Sequence, residues 1–442
     1  MTGDGAAGET PGPAVSPDRR PRWLWVSAEV ADELTTGLLV YSAGLAGAVA
    51  RAGVDVTMVA IGPPSATRDA VTLHAVDGSL RGGAASLVSP LPNLSYASAT
   101  PAMRRAVEKL IERGGWDAIV IDHLQVAWLI DLLPDPDDGD PVDGRTPVVF
   151  VTHNHEGSMR REVAGELPIT SPRGLALRLD AIKAGRLERR ALARADVVTS
   201  ITEADQERFR ADLASLTADG DARAPLTRHV VATPGWSGEF PDTVPPMADR
   251  PRRIGILGSF AWHVKQENLL RFVRGAGPAL ERAGVELVVA GTVPDPFRQE
   301  LEAMSSSVRC AGWVDSIPDF LGTCRIGVVA EPLGGGFKLK SLDYVALRVP
   351  IGATTGSVTG LPLVDGVSMF EARSEVALGE RLVEVIDDAD DLEAVADRAF
   401  SSCEPTLRWA EQVKSLMEAV DLVTDELARP RFQGSPEGSQ RA

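Results

Sequence analysis

Short apolar runs of strand length alternate with helical patterns along this 442-residue chain, and this alternation constrains the fold more than any other feature. In the first half, apolar runs at 23–28 and 54–62 flank a glycine-bearing loop and a helix of small residues. In the second half, runs at 254–258 and 285–291 repeat the arrangement. Buried parallel strands joined by helices are typical of doubly wound domains. The sequence therefore predicts an α/β protein with two such domains.

A proline-rich stretch at 241–253, PDTVPPMADRPRR, is typical of an interdomain linker and separates the two units. We therefore predict an N-terminal Rossmann-like domain over 22–240, a C-terminal one over 254–406, and a final helix over 407–428 that packs back on the N-terminal domain. The Gly- and Pro-rich ends, 1–21 and 429–442, are predicted to be disordered tails. Two parallel sheets facing each other at their carboxyl ends would leave a central cleft.

Composition excludes several classes of protein. The net charge of −17 argues against a nucleic-acid partner, which requires a basic face. No apolar run has the length of a transmembrane helix, and the N-terminus lacks the apolar core of a signal peptide. The three cysteines lack metal-ligand spacing, so we expect a cytoplasmic protein with reduced thiols. The Arg-rich helix at 172–194 leaves peripheral membrane contact open.

The stretch 331–356, EPLGGGFKLKSLDYVALRVPIGATTG, combines a glycine loop with a helical pattern. It follows an apolar run at 326–330, and Phe337 and Leu339 fall on one face of the helix predicted after the glycines. A glycine loop between a strand and a helix directs N–H groups and the positive end of the helix dipole at an anion. This stretch therefore predicts an anion site.

Lysine is scarce in this chain and is concentrated at the predicted anion site. The chain has six lysines, and three of them, Lys265, Lys338 and Lys340, fall in two glycine-flanked loops of the second half, one of them spanning 259–268. We interpret them as phosphate ligands. The alternative for Lys338 and Lys340 is a solvated helix face.

Several segments together resemble the glycosyltransferases of the GT-B fold, specifically the retaining family 4 type that uses nucleotide-sugar donors. Those in the first half are the Thr36–Gly37 loop, THNHEGSMRRE and RLERRALARADVVTSITEADQERF. Those in the second half are GSFAWHVKQEN, GWVDSIPDF and GGGFKLKSLDYVALRVPIGATTG. Their combination and order cover most of the chain between the two tails.

The resemblance implies that Asp343 accepts hydrogen bonds from the nucleotide ribose. It places Gly335 where the family carries a further acidic residue, and Ser259 where the family often carries an arginine. The implied donor-binding residues are Gly258, Ser259, Gly335, Gly336, Phe337, Lys340 and Asp343. The implied catalytic residues are His153, Lys265 and Lys338, and the implied acceptor or cleft-loop residues are Thr36, Gly37 and Asn154.

The implied reaction moves a hexose from a nucleotide-diphosphate sugar to a hydroxyl acceptor, with retention and without a metal or other cofactor. The acceptor could be a glycan, a lipid-linked molecule or a small natural product. Negative charge develops on the leaving phosphate, which fixed cations would stabilise. The resemblance gives His153 the task of orienting the donor sugar.

Three alternatives stay open. One is an inverting GT-B transferase, which would take its general base from Asp122 or His153, and another is a nucleotide-sugar epimerase. A non-catalytic GT-B-like protein would bind a partner instead. At the level of single residues, His155 and Glu156 are expected in a solvated turn, and Asp343 could be an ordinary exposed helix residue.

Overall fold

The computed structural model describes residues 19–34, 36–66, 70–134, 145–218, 227–241, 243–333 and 336–428. These residues form two all-parallel sheets of seven and six strands, each with helices on both faces. This architecture confirms the predicted α/β class with two doubly wound, Rossmann-like domains. Most residues of both predicted tails, together with Gly335, lie outside the described residues.

The N-terminal sheet has the strand order β3-β2-β1-β4-β5-β6-β7. Its strands are β1 (Arg22–Glu29), β2 (Asp55–Ile61), β3 (Val71–Val76), β4 (Ala118–Asp122), β5 (Val148–Val151), β6 (Val197–Ser200) and β7 (Arg228–Val231). The central strands β4, β5 and β6 are buried along their whole length because both sheet faces are covered by helices. The edge strand β3 alternates between exposed and partly buried residues instead, and the apolar runs did not predict it.

Seven α-helices cover the described part of the N-terminal sheet. They are α1 (Gly37–Arg51), α2 (Ala85–Val88), α3 (Asn93–Ser98), α4 (Pro101–Arg113), α5 (Glu156–Gly165), α6 (Pro172–Arg194) and α7 (Glu203–Ala218). The segment Leu124–Leu132 is a 3-10 helix. Side chains of Thr36, Thr100 and Ser171 cap the N-termini of α1, α4 and α6 by accepting hydrogen bonds from their first turns.

The C-terminal sheet has the order β10-β9-β8-β11-β12-β13. Its strands are β8 (Arg253–Leu257), β9 (Glu286–Ala290), β10 (Val308–Gly312), β11 (Ile326–Val329), β12 (Ile351–Thr354) and β13 (Phe370–Ala372). Its helices are α8 (His263–Ala283), α9 (Asp295–Met304), α10 (Ile317–Gly322), α11 (Lys340–Ala346), α12 (Glu375–Val385) and α13 (Ala389–Leu407).

Two helix boundaries differ from the predictions. Helix α8 begins at His263, so Lys265 lies in its first turn rather than in the loop predicted over 259–268. Helix α11 begins only at Lys340, so Phe337 and Leu339 precede the helix instead of forming its apolar face. Both residues are partly buried and line the cavity between the two domains.

The final helix, α14 (Trp409–Ala428), packs on the N-terminal domain although it follows the C-terminal one in sequence. Trp409 lies against Gly44 of α1 and Gly235, and the α14 side chains Val413, Leu416 and Val420 join the N-terminal core. The backbone N–H of Trp236, shortly before the linker, donates to the carbonyl of Leu407, the last residue of α13. This hydrogen bond joins the two segments of the chain that connect the domains.

Candidate active site between the domains

In each sheet the strand order reverses at one position, and the two positions face each other across the cleft. The N-terminal strand order reverses between β1 and β4, and the C-terminal order reverses between β8 and β11. In doubly wound sheets, ligands bind in the crevice outside the carboxyl ends of the strands at this reversal. The candidate site therefore consists of the segments that follow these four strands and of side chains on neighbouring loops.

Three lysines surround one buried carboxylate at the C-terminal reversal. Glu331 follows β11 and forms an ion pair with Lys340, with both side chains about nine-tenths buried. The Glu331 charge also acts on Lys265 and Lys338. This lysine cluster, Lys265, Lys338, Lys340 and Glu331, carries three positive charges and one negative charge inside a chain whose net charge is −17. The arrangement suits a polyanionic ligand.

The pKa values within the cluster reflect burial and crowding of like charges. The pKa of Lys338 is lowered to about 8. Burial is the largest cause and the two neighbouring lysines add to it, whereas the Glu331 charge acts in the opposite direction. Burial also lowers the pKa of Lys265. Burial raises the pKa of Glu331, but the Lys340 charge outweighs it, so the net shift is downward. An anion bound here would stabilise the protonated lysines. Glu331 was not among the predicted site residues, although an acidic residue after a central strand is a signal for one.

Asp343, predicted to contact ribose, is partly buried on α11 and accepts a hydrogen bond from the indole Nε1 of Trp236 at 3.0 Å. The pKa of Asp343 is raised to about 6 because burial outweighs the opposite effect of the hydrogen bond from Trp236. The reading of Asp343 as an ordinary exposed residue is therefore wrong. Trp236, which also packs on the Phe240 ring, was not predicted and reaches this carboxylate from the segment before the linker.

Three other residues predicted to bind the donor, Gly258, Ser259 and Gly336, lie in loops at the boundary between the domains. Gly258 and Ser259 directly follow β8, and Gly258 donates its N–H to the Ala290 carbonyl. Gly336 has φ of +70°, and a Cβ atom there would lie 2.3 Å from Oδ1 of Asn154, so only glycine permits this interdomain contact.

A cavity of about 250 Å³ is lined by residues of both domains. Its lining consists of Gly37, Leu38, Tyr41, His123, His153, Asn154, Glu156, Ile201, Pro234, Phe337 and Leu339. Phe337 and Leu339 flank Lys338 in sequence, so the segment that carries two lysines of the cluster also lines the cavity. The predicted residues His153, Asn154, Gly37 and Phe337 thus come together, and Thr36 caps the helix that begins at Gly37.

His153 is held by a buried carboxylate at the cavity wall. Its Nε2 lies 3.0 Å from Oδ1 of Asp122, and the indole of Trp25 donates to the other Asp122 oxygen at 2.9 Å. Burial raises the pKa of Asp122, but the hydrogen bond from His153 outweighs it, so the net shift is downward. Because an ionised carboxylate only accepts, Nε2 of His153 carries the proton. Burial lowers the pKa of His153 and keeps it neutral, and Tyr41 packs on it edge-on at 4.8 Å.

A second histidine–carboxylate pair lines the same cavity. Nε2 of His123 lies 3.2 Å from Oε1 of Glu156, and Nε of Arg160 donates to the other Glu156 oxygen at 3.0 Å. Burial raises the pKa of Glu156, but the hydrogen bond from His123 and the nearby positive charges lower it to about 2. Nδ2 of Asn154 lies within 3.4 Å of Oε1.

The solvated turn expected at His155 and Glu156 is wrong, because both side chains are buried. Glu188 of α6 accepts the backbone N–H groups of Glu156 and Gly157 at 2.7 and 2.9 Å, which draws the start of α5 into the core. His155 reaches Asp212 of α7 at 3.3 Å. No pattern within the segment itself predicts these contacts, since both partners come from distant helices.

Among the described residues, no group of three or more His, Cys, Asp and Glu side chains is arranged to hold a metal ion. In the same part of the chain, no helix is long and apolar enough to cross a membrane.

Comparison with known proteins agrees with this architecture. Residues 36–216 match the family of the Glycosyl transferase 4-like domain, and residues 251–388 match the Glycosyl transferases group 1 family. Together these two matches cover more than two thirds of the chain. A search of curated proteins gives no sequence match.

Solved structures similar to this chain share its fold at low sequence identity. HepE from Anabaena, solved with UDP and glucose, superposes with a TM-score of 0.57 at 14% identity, covering 90% of this chain and 99% of HepE. The lipopolysaccharide outer core galactosyltransferase WaaB in its apo form gives 0.53 at 10% identity, covering 91% and 99%. A transferase from Siraitia grosvenorii in complex with UDP gives 0.50 at 13%, covering 91% and 100%. The matched domains and the shared two-domain fold place this chain among the glycosyltransferases of the GT-B type.

Proposed function

We propose that this chain transfers a hexose from a UDP-hexose to a hydroxyl acceptor, with retention of anomeric configuration and without a metal ion. The lysine cluster beside the interdomain cavity carries the proposal, because it supplies positive charge where a nucleoside diphosphate would leave. The fold neighbour HepE was solved with UDP and glucose and also with UDP-glucose, which supports UDP as the nucleotide and a hexose as the sugar.

The diphosphate would lie against Lys265, Lys338 and Lys340. Negative charge develops on the leaving phosphate oxygen as the bond to the anomeric carbon breaks, and preorganised cations stabilise it most in a site that excludes water. Glu331 holds Lys340 in place and limits the repulsion among the lysines. In this proposal the lysines take the role that a divalent ion has in other sugar transferases, so no metal is required.

The ribose would bond to Asp343. The indole of Trp236 occupies Oδ1, which leaves Oδ2 as the acceptor for a ribose hydroxyl. This role requires the carboxylate to be ionised, and its raised pKa of about 6 is compatible with that at neutral pH.

The hexose would occupy the interdomain cavity. Its volume of about 250 Å³ lies below the range of roughly 300–1,000 Å³ for pockets that hold drug-sized ligands, so it suits a single sugar ring. In this pose His153 and Asn154 would orient the sugar hydroxyls, and the leaving phosphate would accept the proton of the acceptor. The Asp122 carboxylate is fully engaged by Trp25 and His153, which disfavours it as a nucleophile or base.

One observation favours a second candidate, an inverting transfer. His153 is neutral and carries its proton on Nε2 toward Asp122, which leaves the Nδ1 lone pair free to accept a proton. A histidine oriented by a buried aspartate is the usual form of a general base. The anomeric configuration of the first product, read by NMR before mutarotation, separates the two candidates: retention supports the proposal, and inversion replaces it with the second.

A thermal-shift panel of UDP, GDP, ADP, TDP and CDP, run in EDTA and again with magnesium, tests the donor. We expect a rise in the unfolding midpoint with UDP, because a ligand that binds only the folded chain stabilises it. A rise that requires magnesium would refute the metal-free mechanism, and a rise with another nucleotide alone would replace UDP.

A further inference from the structure

An exposed apolar surface lies on the N-terminal domain, outside the cleft. Six of the fifteen most exposed large apolar side chains of the described chain belong to it. They are Leu87, Val88, Ile169, Leu175, Leu179 and Ile182. We call them the aliphatic patch.

Contacts between three segments hold the aliphatic patch together. Nζ of Lys183 donates to the carbonyls of Ser86 and Leu87, which fixes α2 on α6. Nη2 of Arg178 donates to the Leu167 carbonyl, which fixes the loop that carries Ile169 on the same helix. A cavity of about 380 Å³ joins Leu87 and Leu179. The patch is therefore a continuous surface on α6 with α2 and the α5–α6 loop beside it.

Its exposure is high for side chains of this type. Val88 is 90% exposed, Ile169 65% and Leu175 54%. Leu175, Leu179 and Ile182 follow each other at spacings of four and three along α6, so they form one stripe that points away from the N-terminal core. Apolar patches of this kind on a soluble domain mark protein or membrane contacts.

The charge around the patch is opposite to that of the whole chain. Residues 160–194 contain nine arginines and lysines against four acidic residues, whereas the chain as a whole has a net charge of −17. Arg161, Arg173 and Arg186 are exposed; Glu162 and Glu166 are exposed as well, but Asp180 is paired with Arg160 and Glu188 is buried. This surface therefore attracts anions while most of the molecule repels them.

The patch lies on the cleft side of its domain. Gly185 of α6 packs against Gly157, which follows the carboxyl end of β5. From this contact α6 continues toward its N-terminus through 172–184, a length of roughly 20 Å at 1.5 Å per residue.

We propose that the aliphatic patch and its basic surroundings dock this protein on the surface of an anionic lipid bilayer. Aliphatic side chains would enter the acyl boundary while the arginines contact lipid phosphates. The excess of arginine beside the aliphatic side chains favours a bilayer with anionic headgroups over a protein partner, because helices that lie on such bilayers combine basic and apolar residues. The proposal is independent of the transfer reaction.

Vesicle flotation of the full chain tests the docking. We expect binding to phosphatidylcholine vesicles that contain phosphatidylglycerol, weaker binding to phosphatidylcholine alone, and loss of binding at high salt. The Leu179→Ser/Ile182→Ser variant should bind at least about tenfold more weakly. Arg173→Gln/Arg186→Gln should lose about fivefold for each removed charge on anionic vesicles only. The matched control, Val376→Ser/Leu422→Ser, alters two exposed apolar residues elsewhere on helices and should bind like the wild type.

Three results would overturn the proposal: no vesicle binding by the wild type, equal loss in the patch and control variants, or a dimer in sedimentation that the patch variant abolishes. The unfolding midpoint of each variant, measured without ligand, checks its folding. Vesicle binding requires no nucleotide, so flotation tests the docking proposal even if the UDP-hexose proposal fails.

Discussion

The two halves of the cleft present opposite chemistry to the same cavity. The C-terminal half contributes the lysine cluster, in which three ammonium groups surround one carboxylate. The N-terminal half contributes two imidazole–carboxylate pairs, His153 with Asp122 and His123 with Glu156. Positive charge is concentrated on one side, and hydrogen-bonded imidazole–carboxylate pairs lie on the other.

This difference assigns a separate task to each domain. A cluster of like charges is unfavourable until an anion joins it, so the C-terminal half is organised to bind and release a diphosphate. Imidazoles held by carboxylates have fixed orientation and tautomer, so the N-terminal half is organised to position hydroxyl groups. Variants on the two sides should therefore fail in different ways.

Lys338→Ala should have the largest effect. We expect kcat to fall about 10²–10³-fold, the loss typical of removing one group that stabilises developing negative charge. UDP affinity should also fall, and in the wild type it should decrease as pH rises through about 8, because the Lys338 pKa is about 8 and the protonated form binds the anion. Steady-state kinetics and calorimetry across pH measure both effects. Lys338→Arg should move the pH dependence upward, and an unchanged profile would contradict the assignment.

His153→Ala should lower kcat by about 10²-fold while leaving UDP affinity unchanged, since a misplaced sugar reacts more slowly but the diphosphate site is intact. Calorimetry with UDP beside kinetics with the complete donor separates the two quantities. Equal losses in UDP affinity and in kcat would show that the division of tasks between the domains is wrong.

Lys340→Ala should weaken UDP binding by about 1.5–3 kcal/mol, the range for a hydrogen bond to a charged group. It also leaves Glu331 buried without its partner, so the unfolding midpoint should fall. Lys340→Ala/Glu331→Gln is the control: it should recover the midpoint but not the UDP affinity. Recovery of both would reduce Lys340 to a structural role.

Asp343→Asn should have the smallest effect, weakening UDP by about 1 kcal/mol and leaving pyrophosphate binding unchanged, because only UDP carries a ribose. Equal losses for both ligands would remove the ribose contact.

The same variant tests the pKa of Asp343. The folded pKa of about 6 exceeds the ordinary 3.8, so the wild type loses stability as pH rises between these values. Above pH 6 the variant should unfold about 2 °C higher than the wild type, with no difference below pH 4. A difference that does not change with pH would contradict the raised pKa.

Much of the fold follows from local patterns. The central strands are apolar runs because both sheet faces are covered, and this burial made them recognisable. The edge strand β3 and the short β13 lack such runs, and α8 starts earlier than its apolar pattern because its first turn is partly exposed.

The candidate site divides in the same way. The three lysines were recognisable because lysine is rare in this chain, and His153 because it follows a buried strand. The burial of Glu156 depends on residues distant in sequence, such as His123 and Glu188. The contact between Trp236 and Asp343 spans 107 positions. Spacing within a segment carries no information about such contacts.

Calorimetric titration of UDP in EDTA, with wild type and Lys265→Ala/Lys338→Ala, tests the central claim most directly. The account predicts that the wild type binds UDP without metal and that the double variant loses about 100-fold or more in affinity, as expected for two charge-assisted contacts. The control His153→Ala should bind UDP like the wild type. UDP binding of equal strength in the wild type and the double variant would contradict the assignment of the lysine cluster as the diphosphate site.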